Sequence, residues 1–241
     1  MRTVIWFIYF WLYLIVLWPS MHRAIRLDKA GDRAGRDAIV QKVIPRWAGT
    51  LLRLAGARVQ VAGRENIPRG PVVFVANHQG YFDIPLLLAH LDAAHPLLAK
   101  QETLKIPLIR TWMRLLGCQF VDRDNPRQSV SCLNEAARMI TQEGRSFIIF
   151  PEGTRSRGDA VGDFKSGGFK VASKAGVPVV PVVIDGSYRL MEGNGMWIRP
   201  AAVRVTILPP VETKDLDRAA LKHLGEEVRG RIVQAKGTPA Q

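Results

Sequence analysis

Two short apolar runs, residues 71–76 and 146–150, each break abruptly into a polar, charged loop, and few architectures accommodate that twice. The first is rich in valine and is preceded by Arg69 and Gly70; the second is a run of Phe147, Ile148, Ile149 and Phe150 after Ser146. Both read as buried strands. Their carboxyl ends would deliver Asn77, His78, Gln79, Gly80, Tyr81, Phe82 and Asp83 in one case, and Pro151, Glu152, Gly153, Thr154 and Arg155 in the other. In open α/β sheets ligands bind at that edge, because the loops vary there while the strands beneath hold them rigidly.

Within the first loop, Asp83 precedes an apolar-periodic segment with Pro85 in its first turn, the pattern of an aspartate capping a helix. A separation of five residues from His78 is wrong for one helix face. A strand-loop-helix corner with Gly80 in the bend can nevertheless fold the carboxylate back onto the imidazole. Such a pair fixes the ring tautomer, stabilises the imidazolium and leaves the other ring nitrogen to take a proton. An isolated His-x4-Asp more often marks a structural histidine; the second charged loop, reaching what would be a shared edge, shifts the balance toward a site.

With two further stretches, these residues resemble the glycerolipid acyltransferases, which acylate glycerol phosphates and lysophosphatidic acid. The family's Asn-His-x4-Asp motif is matched by Asn77, His78 and Asp83. Its hydrophobic-Asp-Arg element after a glycine is matched from Gly117 to Val121, Asp122 and Arg123. Its Phe-Pro-Glu-Gly-Thr-Arg-Ser motif is matched without a gap by residues 150–156, and its Val-Pro-x-x-Pro strand by residues 177–181. The four occur in the family's order. One departure is Gly80, where bacterial members more often carry serine. The resemblance implies transfer of a fatty acyl group from acyl-CoA or acyl-carrier protein to the sn-2 hydroxyl of lysophosphatidic acid, giving phosphatidic acid. Another lyso-lipid, such as a lyso-ornithine lipid or lysophospholipid, is the alternative acceptor.

An alcohol is too weak an acid to ionise near neutrality, so its proton must leave to a base already in reach as it attacks the thioester. His78 is the candidate base and Asp83 its orienting partner. The chain has no Gly-x-Ser-x-Gly elbow and neither cysteine follows an activating motif, so no acyl-enzyme is expected. Backbone N–H groups around Gly80 are the expected oxyanion donors. Following the resemblance, Arg123 and Arg155 should hold the acceptor phosphate, with Lys100 a third candidate. Gly153 permits close backbone approach and Thr154 can add a hydroxyl contact. Glu152 is expected to orient Arg155 or a neighbouring backbone group. The acyl chain needs an apolar slot, near residues 177–181 or along the N-terminal helices. Beyond the acyl donor, which is a substrate, no cofactor is expected.

The first quarter of the chain carries its own message. Residues 4–18 hold no charge and seven aromatics, while residues 1–60 contain ten Lys/Arg and three Asp/Glu, a net of +7 out of +13 for the whole chain. As a helix the uncharged run spans about 22 Å, short of the roughly 30 Å hydrocarbon core, and Arg23, Arg26 and Lys29 follow to meet anionic lipid. This predicts an uncleaved anchor lying in one leaflet of an anionic membrane. Apolar residues then recur at helical spacing over 39–54. From residue 57 strands and helices alternate. The expected fold class is therefore α/β: a single mixed, mainly parallel sheet flanked by helices, with an N-terminal membrane-associated helical segment. Residues 1–56 would be membrane-anchoring helices and 57–241 the acyltransferase domain. Cys118 and Cys132 fit a reducing compartment, and no His or Cys pair has metal-ligand spacing. A membrane-tethered basic nucleic-acid-binding protein would also explain the charge, but no helix-turn-helix, zinc or RNA-recognition pattern is present, so no nucleic-acid partner is expected. The expected location is the membrane, with the active site on its cytoplasmic face.

Overall fold

Strands with continuous apolar sequence make up one side of the sheet and alternating ones the other. The computed structural model describes residues 1–122, 124–214, 216 and 218–237. β2 (Val73–Ala76), β5 (Phe147–Ile149) and most of β6 (Val179–Asp185) are buried on both faces, whereas β1 (Ala57–Ala62) alternates between exposed and half-buried residues. With β7 (Ala201–Ile207) they form a five-stranded sheet in the order β1-β7-β6-β2-β5.

The expectation of a single mixed, mainly parallel sheet needs correction in its count of sheets. β3 (Leu98–Lys100) and β4 (Gln119–Val121) pair in a separate two-stranded sheet, joined to the larger one through an isolated parallel bridge between Leu97 and Ile148. The larger sheet is mixed. β6, β2 and β5 are mutually parallel, β1 and β7 are parallel, and β6 meets β7 antiparallel. The reversal has a simple cause: the chain returns from β6 to β7 through residues 186–200 as two short 3-10 turns, with no crossover helix to bring it back to the starting edge.

Helices cover both faces. Val72, Phe74 and Ala76 point into a core shared with α1 (Arg2–Val16), α2 (Trp18–Lys29), α3 (Arg33–Ala55), α4 (Asp83–His90) and α5 (Ile109–Leu116). Val73 and Val75 point the other way, toward α6 (Pro126–Glu143), α7 (Gly167–Ala175) and α8 (Arg218–Gly237). Local chemistry sets several ends. Asp32 accepts the Gly35 N–H at 2.8 Å to start α3, and Asn125 accepts the Gln128 N–H at 3.1 Å ahead of Pro126 to start α6. The sequence places the terminal helix from Asp215; that residue lies outside the described residues.

The uncharged N-terminal run is not one helix. α1 stops at Val16, and α2 leaves it at 46° with Pro19 in its first turn. Among the described residues no single helix is long and apolar enough to cross a membrane. One side of α1 packs onto the domain: Trp6 and Leu14 are buried, and the Trp6 indole donates to the Leu51 carbonyl at 2.9 Å. The other side exposes Val4, Ile5, Ile8, Leu12 and Ile15.

Candidate active site

Three parallel strands aim their carboxyl ends at one edge, and their order brings distant loops together. Val75 pairs with Ile149 across β2 and β5, so the loops beginning at Asn77 and at Phe150 start side by side. Ala76 pairs with Val182 on the opposite flank, so β6 runs on past β2 and its exit, at Gly186 and Ser187, overlooks the same loop. Asn77 ties these strands together: its amide donates to the Ile184 carbonyl and its carbonyl accepts the Ile184 N–H, both at 2.8 Å. Lys100, at the end of β3, reaches this edge too.

His78 and Asp83 meet there. Nδ1 of the imidazole lies 2.7 Å from Asp83 Oδ2, which presents Nε2 on the opposite edge of the ring. Asp83 is fully buried, and a bare carboxylate in that position would be costly. It is well supplied. Oδ2 also accepts the Gln79 N–H at 2.6 Å and the Gly80 N–H at 2.8 Å, while Oδ1 accepts the Ser187 hydroxyl. Asp83 is the first residue of α4; Phe82 occupies the cap position and makes no side-chain cap. The capping pattern in the sequence therefore marks a carboxylate turned back to the loop that precedes the helix. On its face the His78 ring stacks on Phe150, with centroids 4.1 Å apart and planes 24° from parallel.

The second loop lies along the first. Ser156 N–H donates to the His78 carbonyl at 2.8 Å and Arg157 N–H to the Gln79 carbonyl at 3.1 Å. Glu152 lies buried beneath, where Oε1 accepts the His78 N–H at 2.7 Å and Oε2 the Gly162 N–H at 3.0 Å. Of the two roles considered for it, orienting backbone is the one the geometry gives. Burial pushes its carboxyl above the ordinary range, with the two N–H donors pulling the other way. Gly153 has φ +72, a backbone state that disfavours side chains, in the turn closed by its N–H to the Phe150 carbonyl at 3.1 Å. Arg155 places its guanidinium carbon 3.6 Å from the Tyr81 ring centroid.

The backbone donors expected around Gly80 are already engaged. His78 N–H goes to Glu152, Gln79 and Gly80 N–H go to Asp83, and Tyr81 N–H goes to Glu192 Oε1 at 2.6 Å. They hold the carboxylates that shape the loop, so none is free for an oxyanion.

A cavity of about 910 Å³ opens at His78 and runs between the domain and its N-terminal helices. His78, Lys100, Gly153, Thr154 and Arg155 line its polar mouth, and Trp6, Phe10, Leu14, Val43, Trp47 and Trp112 its apolar interior. Of the two locations considered for an apolar slot, this is the one along the N-terminal helices. Val179, Val180 and Pro181 instead stand within β6 in the sheet. Lys100 pairs with Glu102 at 2.6 Å in an exposed ion pair. Arg123 lies outside the described residues. Among them, no group of three or more His, Cys, Asp or Glu side chains is arranged to hold a metal.

Cys118 lines the cavity, but burial pushes its thiol up to about 12, so it stays protonated near neutrality. The sequence reading missed Phe150, Ser187 and Glu192 as parts of the site. Phe150 could have been found from its place before Pro151. Ser187 and Glu192 reach Asp83 and Tyr81 across more than a hundred residues, and no local pattern marks them.

This arrangement can take a proton from a hydroxyl at Nε2, hold an anion at Arg155 and receive an aliphatic chain beyond. Residues 58–185 match a protein-family model described as Acyltransferase. A 1-acyl-sn-glycerol-3-phosphate acyltransferase of Chlamydomonas reinhardtii is 39% identical over 66% of this chain and 49% of its own length. One of Borreliella burgdorferi is 30% identical over 76% of this chain and 73% of its own. The crystal structure of the 1-acyl-sn-glycerophosphate (LPA) acyltransferase PlsC from Thermotoga maritima superposes with a TM-score of 0.78 at 30% identity, covering 100% of both chains. The chain spans about half the length of several of the curated relatives it matches.

Proposed function

The chain belongs to the acyltransferase family, and from its site we propose that it moves a fatty acyl group from acyl-CoA or acyl-carrier protein to the sn-2 hydroxyl of lysophosphatidic acid, giving phosphatidic acid. The observation that carries this is the His78 Nδ1–Asp83 Oδ2 contact of 2.7 Å at the mouth of an apolar cavity that Arg155 also lines. The hydroxyl attacks the thioester carbonyl while His78 Nε2 takes its proton, and the imidazolium that forms is stabilised by the buried Asp83. Collapse of the tetrahedral intermediate expels the thiolate, to which the same imidazolium returns the proton. Attack is direct, with no acyl-enzyme; the high-lying, buried Cys118 thiol supports that reading.

Arg155 and Arg123 are the proposed phosphate ligands, with Lys100 at the rim and Thr154 adding a hydroxyl. Glu152 and Gly153 act through the backbone they shape. The aliphatic chain follows the apolar walls toward α1 and α3, so the protein works from a membrane surface, entered by the exposed apolar side of α1. The active site then faces the cytoplasm, where both candidate donors are available. The test is an assay of detergent-solubilised protein with lysophosphatidic acid and labelled acyl-CoA or acyl-carrier protein. Labelled phosphatidic acid is the expected product; acylation of other lyso-lipids with none of lysophosphatidic acid contradicts the acceptor assignment.

A further inference from the structure

The connection from β6 to β7 crosses the edge where His78 and Arg155 meet, and its Glu192 enters the loop between them. Oε1 accepts the Tyr81 N–H at 2.6 Å, while Oε2 is buried with no hydrogen-bond partner among the described residues. Burial, reinforced by the neighbouring Asp83 charge, holds this carboxyl above its ordinary range against the pull of Arg155. A half-satisfied buried carboxyl is a costly way to hold one N–H. What that N–H belongs to is Tyr81, whose exposed ring carries the Arg155 guanidinium. Gly80 makes the room: a Cβ there would lie 2.5 Å from Glu192 Oε2.

We propose that Glu192 is a positioning residue for acceptor recognition: by fixing the Tyr81 backbone it sets the ring on which Arg155 rests, and so sets affinity for the acceptor's phosphate. This rests on the assignment of Arg155 to that phosphate. A guanidinium lying on an aromatic face surrenders its rotamer freedom before the anion arrives, and among the described residues no hydrogen-bond acceptor takes its N–H groups, which suit a bidentate contact. Glycine at position 80 and glutamate at position 192 act as a pair, because a larger residue at 80 displaces the carboxylate from Tyr81.

Steady-state acyl transfer by the full chain tests this, with thermal unfolding recorded for each variant. Glu192→Ala and Tyr81→Leu are each expected to raise the KM for lysophosphatidic acid roughly tenfold, leaving kcat and the donor KM within about twofold. The double variant should be no worse than Tyr81→Leu alone, since both remove one support. Glu192→Gln, which keeps the carbonyl acceptor, should stay within about threefold of the parent. Gly80→Ser should raise the acceptor KM without any change at position 192, which keeps the test open if Glu192→Ala does not fold. An unchanged acceptor KM in Glu192→Ala or Gly80→Ser, or additive effects in the double variant, overturns the inference while Arg155→Ala still raises that KM. An Arg155→Ala variant with unchanged acceptor KM overturns the inference together with the phosphate assignment beneath it.

Discussion

At the scale of single residues, the site is a set of carboxylates defined by what they accept. Asp83 takes N–H and O–H donors from Gln79, Gly80, His78 and Ser187, which an amide of the same shape cannot do on both sides. Asp83→Asn should therefore lower kcat by about 10²- to 10⁴-fold, with a loss of stability of about 1–3 kcal/mol. Kinetics and chemical denaturation together check it, and a kcat within threefold of the parent contradicts the orienting role. Glu152 makes a different prediction. Its folded pKa lies above the ordinary 4.5, so the folded protein holds that proton more tightly than the unfolded chain. Its contribution to stability then falls as pH rises from 4.5 through the raised folded value. The unfolding free energy of the parent minus that of Glu152→Gln should decline across this interval; a flat difference contradicts it. The His78–Asp83 pairing was legible in the sequence because both residues belong to one short loop with a glycine in its bend. Ser187 and Glu192 were not, because only the parallel alignment of β6 with β2 brings them there.

At the scale of elements, the apolar runs at 71–76 and 146–150 and the helical spacing over 39–54 located β2, β5 and α3, since burial on one face or two leaves a direct trace in the residue pattern. Pairing left none. β2, β5 and β6 are uniformly apolar, and such runs do not say which neighbour they join or in which sense. The antiparallel contact of β6 with β7 and the separation of β3 and β4 into their own sheet were hidden for that reason. Gly186 tests the pairing. It has φ +86, and a Cβ there would meet the Ala202 carbonyl of β7 at 2.6 Å. Gly186→Ala should cost about 1–3 kcal/mol, read from the denaturant midpoint. An unchanged midpoint contradicts the close approach of the β6 exit to β7.

At the scale of the whole molecule, the N-terminal helices form one wall of the cavity on their inner side and leave an apolar stripe on their outer side, so the proposed function would put membrane contact and acyl-chain entry at one place. The sequence showed the uncharged run and the basic cluster but not the bend between α1 and α2, because the run of apolar residues continues through Leu17 and Trp18. Ile8→Glu, on the exposed face of α1, should weaken binding to anionic vesicles about tenfold or more, and added salt should weaken the parent through the exposed Arg23, Arg26 and Lys29. Vesicle sedimentation reads both; binding indifferent to the substitution contradicts the surface assigned to α1. Catalysis and membrane contact are then separable, and a single comparison addresses the central claim. In His78→Ala, acyl transfer to lysophosphatidic acid should disappear while the melting temperature and vesicle binding match the parent. Turnover retained at a comparable rate would contradict the assignment of the imidazole as the base.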